Sequence, residues 1–207
     1  MNKLSASRQE IIITGHSLHL LIPDPVAVRK YYTDQSPDLA YWSRIWPAAI
    51  GLCEFIAART DLIENKTVLE LAAGLGLPSL LASRYSRSVL MSDHIEEAIG
   101  IMQQTIEQEK ISNLRCTLLD RNNIPHAVKA DVILLSDVNY DPSVFEKVFS
   151  VIVRFLSEGS MIILSTPQRL MAKPFIERLL SFKCEQEEVI VDKNGSRVPV
   201  SILVLRK

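Results

Sequence analysis

VLELAAGLGLP, residues Val68 to Pro78, carries an apolar run into an acidic residue, then a glycine bend, then a proline placed to open a helix. Val68, Leu69 and Leu71 suit a strand buried on both faces of a parallel sheet. Gly74 and Gly76 permit tight turning and let backbone approach a ligand closely. Pro78 fits the first turn of a helix, where its missing N–H costs nothing; the pattern predicts that helix through Leu80, Leu81 and Ala82 to about Tyr85. Glu70 is the unusual member. A carboxylate near the C-terminal end of a buried strand is costly unless something pairs with it, and a bound cation would serve.

A second strand, Ser88 to Ser92, ends at Asp93, seventeen residues after Gly76. In open α/β sheets an acidic side chain there commonly grips the ribose hydroxyls of an adenosine ligand; the same aspartate can also serve simply as a helix cap. The dinucleotide pattern GxGxxG needs a third small residue and a helix N-terminus free to receive a pyrophosphate. From Gly74 the register gives Gly76 and then Ser79, and Pro78 removes one N–H donor. A diphosphate is therefore disfavoured, and a sulfonium ligand with an amino-acid tail, S-adenosylmethionine, fits better beside Glu70.

With its ExAxGxG arrangement the segment resembles the first motif of the seven-strand S-adenosylmethionine-dependent methyltransferases, Ala72 standing where the first glycine is usual. Two more segments narrow the resemblance: YWSRIWPAAIGL, Tyr41 to Leu52, and SDVNYDP, Ser136 to Pro142. Together they are similar to the methyltransferase-like group (family 16) of protein lysine methyltransferases, among them enzymes modifying the electron-transfer flavoprotein β subunit and chaperones. The similarity covers roughly Tyr41 to Pro142. It implies that Asp137 and Tyr140, the DxxY motif after the fourth strand, are the catalytic pair: Asp137 hydrogen-bonding the incoming amine, Tyr140 walling its channel. It also implies a cofactor site made of Trp46, Glu70, Ala72, Gly74, Gly76, Asp93, Asp120, Arg121 and Asp137. Asp120 would lie near the adenine, with Arg121 and Asn122 as alternatives there. Trp46 would be a flat wall near the methionine or the acceptor, with Trp42 closer to the substrate. Structural duties remain open for several of these: Asp137 as a turn cap, Tyr140 as packing, Trp42 as core. His94, beside Asp93, would line the pocket or be solvated. Asp141 reads as a cap.

The chain has 207 residues, 47% of them hydrophobic, which suits one unit with a substantial core. A net charge of −1 gives no broad attraction for nucleic acid; the cluster Arg84, Arg87 and Lys66 is too small to change that. Cys53, Cys116 and Cys184 match no CxxC or metal spacing, and the histidines His16, His19 and His126 show none typical of metal ligands, so no metal is expected. No apolar run reaches the ~18 residues a membrane span needs, and no signal-peptide pattern follows the early charges. A cytoplasmic enzyme with no membrane partner is the expectation; oligomeric state is not legible.

Residues 1–45 read as an N-terminal extension, a hairpin of IIIT and SLHLLI bent at Gly15 and His16, then a short helix Val26 to Tyr32 and a polar loop Thr33 to Asp38. Residues 46–207 read as the methyltransferase domain. Pro47 opens a helix through AAIGLCEFIAART; a helix Ile95 to Lys110 follows the second strand, then strands Leu114 to Leu119 and Asp131 to Ser136. Asp141 and Pro142 cap and start a helix with an apolar stripe at Val144, Phe145, Val148, Phe149, Ile152 and Phe155. Gly159 stops it, and strand Met161 to Leu164, loop Thr166 to Lys173 and helix Pro174 to Phe182 complete the run. Glu187 to Val191 and Val198 to Leu205 flank a turn with Asn194 and Gly195 and must be antiparallel. The expected fold is thus α/β: a Rossmann-like, doubly wound, mostly parallel seven-stranded sheet ending in an antiparallel hairpin, with a short N-terminal β-hairpin extension. A dinucleotide fold would instead continue with helical crossovers.

The leading expectation is an N-methyltransferase acting on a protein lysine. A small-molecule N-methyltransferase and a non-catalytic S-adenosylmethionine-binding module are the alternatives, and a nicotinamide-dependent oxidoreductase is disfavoured by Pro78 and the terminal hairpin.

Overall fold

The computed structural model describes residues 4–32, 37–120, 123–193 and 195–207. The chain opens with a hairpin, β1 (Ala6–Ile13) and β2 (His16–Pro23), in register from Ala6 opposite Pro23 to Ile13 opposite His16. Its two-residue turn, Thr14 and Gly15, has φ of 47° and 82°, the mirror-image turn geometry that matches strand twist. Asp24 caps α1 (Pro25–Tyr31) by accepting from the Val26 N–H at 2.8 Å. A 3₁₀ turn over Pro37–Ser43 precedes α2 (Pro47–Ala58).

The main sheet then forms from β3 (Thr67–Leu71), β4 (Ser88–Asp93), β5 (Leu114–Leu118), β6 (Val132–Ser136), β7 (Met161–Pro167), β8 (Lys183–Lys193) and β9 (Ser196–Leu205). Between them run α3 (Leu77–Ala82), α4 (Glu96–Glu109), α5 (Phe145–Ser157) and α6 (Lys173–Leu179). The strand order is β5-β4-β3-β6-β7-β9-β8, with β5 to β7 parallel and β9 antiparallel to both neighbours. From β3 the chain moves outward through β4 to β5, and from β6 it moves the other way through β7. The loops leaving β3 and β6 therefore diverge, and a crevice opens at their C-terminal ends, where ligands of open α/β sheets gather.

Strand alternation divides the core into two layers. Val68, Leu134, Ile163 and Val204 face α2, α3 and α4, while Leu69, Ile133, Leu135 and Ile162 face α5 and α6. By the same alternation Glu70 lies on the Val68 face. The expected stripe on α5 is buried at Val148, Ile152 and Phe155, joined by Leu156. The N-terminal hairpin forms its own two-stranded sheet and packs outside α4, with Ile13, Leu18 and Leu20 in the same cluster as Ile101 and Met102. The Leu21 N–H donates to Thr105 Oγ1 at 3.1 Å, and Arg8 pairs with Glu109 at 2.7 Å.

Several expected boundaries shift for visible reasons. The helix after the glycine bend ends at Ala82, short of Tyr85, because Asn113 Nδ2 donates to the carbonyls of Ser83 and Ser86 at 2.8 and 3.0 Å and so ends the ladder as turns. β7 extends three residues past Leu164, since Ser165, Thr166 and Pro167 pair with β9. The helix expected over Pro174 to Phe182 is α-helical only to Leu179, and Leu180–Phe182 tighten into a 3₁₀ turn. Residues 33–36 of the expected polar loop, and Asn194 of the last turn, lie outside the described residues.

Phe155 is fully buried between α5 and the sheet. Phe155→Ala is expected to lower unfolding free energy by about 3–5 kcal/mol in urea titrations, whereas Arg8→Ala, which removes an exposed ion pair, changes it by less than ~1 kcal/mol.

Candidate active site

The glycine bend is organised around one carboxylate. Glu70 is 1% exposed, and its Oε2 accepts from the Ser79 N–H at 3.0 Å and from Ser79 Oγ at 2.5 Å. Ser79 lies in the first turn of α3, beside Pro78, so two of the first-turn donors a phosphate would use are withdrawn, one bonded to Glu70 and one absent in proline. Glu70 Oε1 is buried with no hydrogen-bond partner among the described residues. Two influences compete for its proton: burial raises the pKa, and the bonds from Ser79 lower it. Burial wins, with a smaller upward push from Asp93, and the pKa rises to about 8.

The bend itself needs left-handed backbone at Ala72, Gly74 and Gly76, with φ of 54°, 58° and 72°. Glycine adopts this freely, whereas Ala72 holds it at a steric cost of roughly 1–2 kcal/mol. At Gly74 a Cβ would lie 2.9 Å from the Trp42 carbonyl oxygen, so this glycine is also demanded by close approach of two backbones. Asp93 fastens the bend from the neighbouring strand. Its Oδ2 accepts from the Gly74 N–H at 2.9 Å, and its Oδ1 accepts from the N–H groups of His94 and Ile95 at 2.7 and 3.1 Å. Asp93 thus ties the loop and fixes the two residues leading into α4 while bordering the crevice.

That crevice is a cavity of about 440 Å³, within the usual size range for small-ligand sites. Trp46, Glu70, Ala72, Gly74, Asp93, Asp137 and Tyr140 all line it, together with Trp42 and His94. The other expected residues stand apart. Gly76 lies behind the loop, packed toward Met91; Asp120, two residues beyond β5, is exposed and outside the cavity wall; Arg121 and Asn122 lie outside the described residues.

On the opposite wall stands an aromatic relay. The Tyr41 ring meets Trp46 edge-on at 5.7 Å and Tyr140 edge-on at 5.9 Å, and Trp46 Nε1 donates to the Tyr41 carbonyl at 2.9 Å. Asp137 follows β6 in a left-handed conformation, φ 54°, its N–H bonded to the Ser165 carbonyl at 2.9 Å. Aspartate tolerates that conformation better than most residues. Its carboxylate is gripped at both oxygens by the guanidinium of Arg169, from the loop after β7, a fork geometry among the stronger ion pairs. Asp141 caps the next turn by accepting from Ser143 at 2.9 Å.

Sequence reasoning missed four participants. Ser79 was weighed only as a stand-in for a glycine, although a hydroxyl one helical turn into α3 is the natural partner for Glu70. Tyr41 sat within a quoted motif without a role. Arg169 and Arg44, which also line the cavity, had no local signal, because their meaning depends on which strands are neighbours.

A parallel sheet with this switch point, a phosphate-averse glycine bend, an unpartnered buried carboxylate oxygen and an antiparallel terminal hairpin together define an S-adenosylmethionine-dependent methyltransferase. The residues present fit that cofactor: Glu70 Oε1, buried and facing the cavity, suits an ammonium. A family model described as lysine methyltransferase matches residues 34–182, and the chain belongs to that family. It is 26% identical over 181 residues to human "Histone-arginine methyltransferase METTL23", spanning 78% of this chain and 95% of that protein. It is 26% identical over 167 residues to mouse "Protein-lysine methyltransferase METTL21E", spanning 74% and 62%. The solved structure of the T. thermophilus 16S rRNA N2 G1207 methyltransferase RsmC, in complex with AdoMet and guanosine, superposes with a TM-score of 0.66 at 13% identity, covering 98% of this chain and 50% of that one. At that identity the likeness shows the fold.

A protonated Glu70 in the empty site makes cofactor binding proton-linked. Between its ordinary pKa near 4.5 and about 8, the folded empty protein holds a proton that the unfolded chain has released, so this group's contribution to stability falls as pH rises through that window. An ammonium group of the bound ligand beside Glu70 favours the ionised carboxylate. Calorimetry at pH 7 in buffers of different ionisation heat is expected to show release of close to one proton per S-adenosylhomocysteine bound. Glu70→Gln should bind the cofactor roughly 10- to 100-fold more weakly yet melt higher than wild type at pH 8 when empty. Gly74→Ala, strained in φ and pressed on the Trp42 carbonyl, is expected to lose about 1–3 kcal/mol of stability and most cofactor affinity, read by the same two assays.

Proposed function

We propose that this enzyme transfers a methyl group to the side-chain nitrogen of a lysine in a protein substrate. The observation that carries the reading is the pairing of Asp137 with Arg169 beneath the aromatic relay. The cofactor, when bound, supplies an activated methyl group, so the protein has chiefly to align an acceptor and exclude water. A guanidinium acceptor stays cationic and would call for an unengaged carboxylate. Here the Asp137 charge is already balanced by Arg169, and Arg44 adds a positive charge to the same wall. Such surroundings favour the neutral form of an amine, the form that can attack. Asp137 would accept a hydrogen bond from that amine while Arg169 holds the carboxylate in place, and Tyr140, Tyr41 and Trp46 would enclose the apolar lysine stem.

Related proteins named as lysine and arginine methyltransferases support a protein acceptor. Cys53, Cys116 and Cys184 are free thiols, and among the described residues no helix is long and apolar enough to cross a membrane; both agree with a cytoplasmic enzyme. We read residues 1–45 as an extension docked on the catalytic unit, and assign no nucleic acid as substrate.

Incubation with isotope-labelled S-adenosylmethionine and cell extract, followed by mass spectrometry, is expected to find the label on lysine in protein. Label confined to low-mass material would replace this reading with a small-molecule methyltransferase, and label on arginine would replace the amine acceptor. Tyr140→Ala is expected to reduce turnover by roughly 100-fold while S-adenosylhomocysteine affinity falls far less.

A further inference from the structure

The charged side chains that line the cavity are Glu70, Asp93 and Asp137 on the acidic side, Arg44 and Arg169 on the basic side, and His94. Arg169 is committed to Asp137, both of whose oxygens it holds, and the His94 ring stands 3.3 Å from Asp93. Arg44 makes no ion pair with a carboxylate among the described residues. Its charge is nevertheless felt locally. The Lys193 ammonium lies 5.4 Å from the centre of the Trp46 ring and donates to the Ile45 carbonyl at 2.8 Å, and its pKa is pushed down by burial and then by Arg44.

The helix N-termini around the cavity differ in the same sense. α3 gives its Ser79 N–H to Glu70, and α4 carries Glu96 and Glu97 in its first turn. α2 has no acid in its first turn and no side-chain hydrogen bond at its cap, Trp46, and both Trp46 and Ala49 line the cavity. The positive end of α2 thus borders the same space as Arg44.

Being exposed, Arg44 needs no partner for its own sake; the requirement comes from the ligand. S-adenosylmethionine bears its ammonium and its carboxylate on one carbon atom. An ammonium seated at Glu70 Oε1, the buried oxygen left without a partner among the described residues, brings that carboxylate into a space already walled by Glu70 and Asp93. Like charges so close repel strongly unless a cation intervenes. Among the described residues, Arg44 is the arginine in the wall that no carboxylate has claimed.

We propose that Arg44, with the N-terminus of α2, holds the carboxylate of the cofactor's amino-acid tail, so that Glu70 and Arg44 read the two charges of one zwitterion. The assignment concerns the cofactor alone and is independent of which nucleophile receives the methyl group. In the loaded site the ammonium matches Glu70 and the carboxylate matches Arg44. The sulfonium is left as surplus positive charge, so the positive field beside the acceptor persists.

The test is calorimetric titration of the full-length protein with S-adenosylmethionine and with decarboxylated S-adenosylmethionine, which keeps the ammonium and the sulfonium. Wild type is expected to bind the intact cofactor about tenfold tighter, the low end for a bond to a charged group because Arg44 is exposed. That ratio should shrink as added salt screens the pair. Arg44→Gln, checked for a cooperative melt like that of wild type, is expected to cut the ratio to about threefold, the remainder coming from the α2 terminus, without weakening the decarboxylated ligand. Arg44→Lys should retain more of the ratio than Arg44→Gln, and Glu70→Gln should weaken both ligands alike. Equal binding of the two ligands by wild type, or a ratio that Arg44→Gln leaves intact, overturns the assignment. So does an Arg44→Gln protein that loses affinity for both ligands in equal proportion, since a merely structural role would produce that result. Unchanged binding of both ligands to Glu70→Gln would remove the ammonium site and, with it, the placing of the carboxylate.

Discussion

Two hydrogen bonds from Ser79 to the buried carboxylate of Glu70 are the constraint on which the site is built. They tie the last turn of a central strand to the first turn of the following helix, and the chain between them has few ways to close that distance. Left-handed backbone at Ala72, Gly74 and Gly76 is the solution adopted. Because the carboxylate occupies the positive end of α3, the helix no longer offers an anion site. The sign of the ligand follows: an ammonium or sulfonium is accepted where a pyrophosphate would be repelled. The left-handed strain at Ala72 is sustained by the same tie, since any relaxation there would pull Glu70 from its partner.

Neighbouring strands extend this arrangement sideways. Asp93, at the end of β4, uses one oxygen to hold Gly74 and the other to hold His94 and Ile95, so the glycine bend and the approach to α4 share one carboxylate. Asp137, at the end of β6, is held by Arg169 from beyond β7. Both strand-end carboxylates therefore contribute to geometry as well as to charge. Among the described residues, the carboxyl oxygen of the buried wall left without a hydrogen-bond partner is Glu70 Oε1, which gives the cofactor side its polarity.

Much of this was readable along the chain, and the division between what was and was not is physical. Strand interiors, the helix starts at Pro47 and Pro78, the cap at Asp141 and the terminal hairpin depend on residues within a few positions of one another, and their patterns were explicit. Glu70 was conspicuous because a lone acid in an apolar run has few explanations. Arg169 lies 32 residues from Asp137, and only the adjacency of β6 and β7 brings them together, so no spacing rule could pair them. Helix ends were misjudged where a distant side chain intervened, as Asn113 does beyond Ala82. Asp120 was placed by analogy with where such strands end, but β5 stops at Leu118, and the aspartate, two residues on, is exposed and not among the cavity's lining residues.

The distribution of charge across the two walls has a consequence for the reaction. On the cofactor side, a low-dielectric pocket leaves Glu70 as the counter-ion for an ammonium. On the acceptor side, the Asp137–Arg169 pair is neutral overall, and Arg44 and Lys193 leave a net positive field. A methyl donor of the sulfonium class carries positive charge that disperses as the methyl group moves, while an amine gains positive charge as it is alkylated. A positive wall near the acceptor favours the neutral amine before reaction but opposes the cationic product, so it assists the first condition at the expense of the second. Asp137 resolves the conflict if its carboxylate, kept anionic and oriented by Arg169, meets the amine as charge develops on it. The ion pair that looks at first like a blocked catalytic residue is on this argument a means of keeping one oxygen aligned without leaving a bare charge in the empty site.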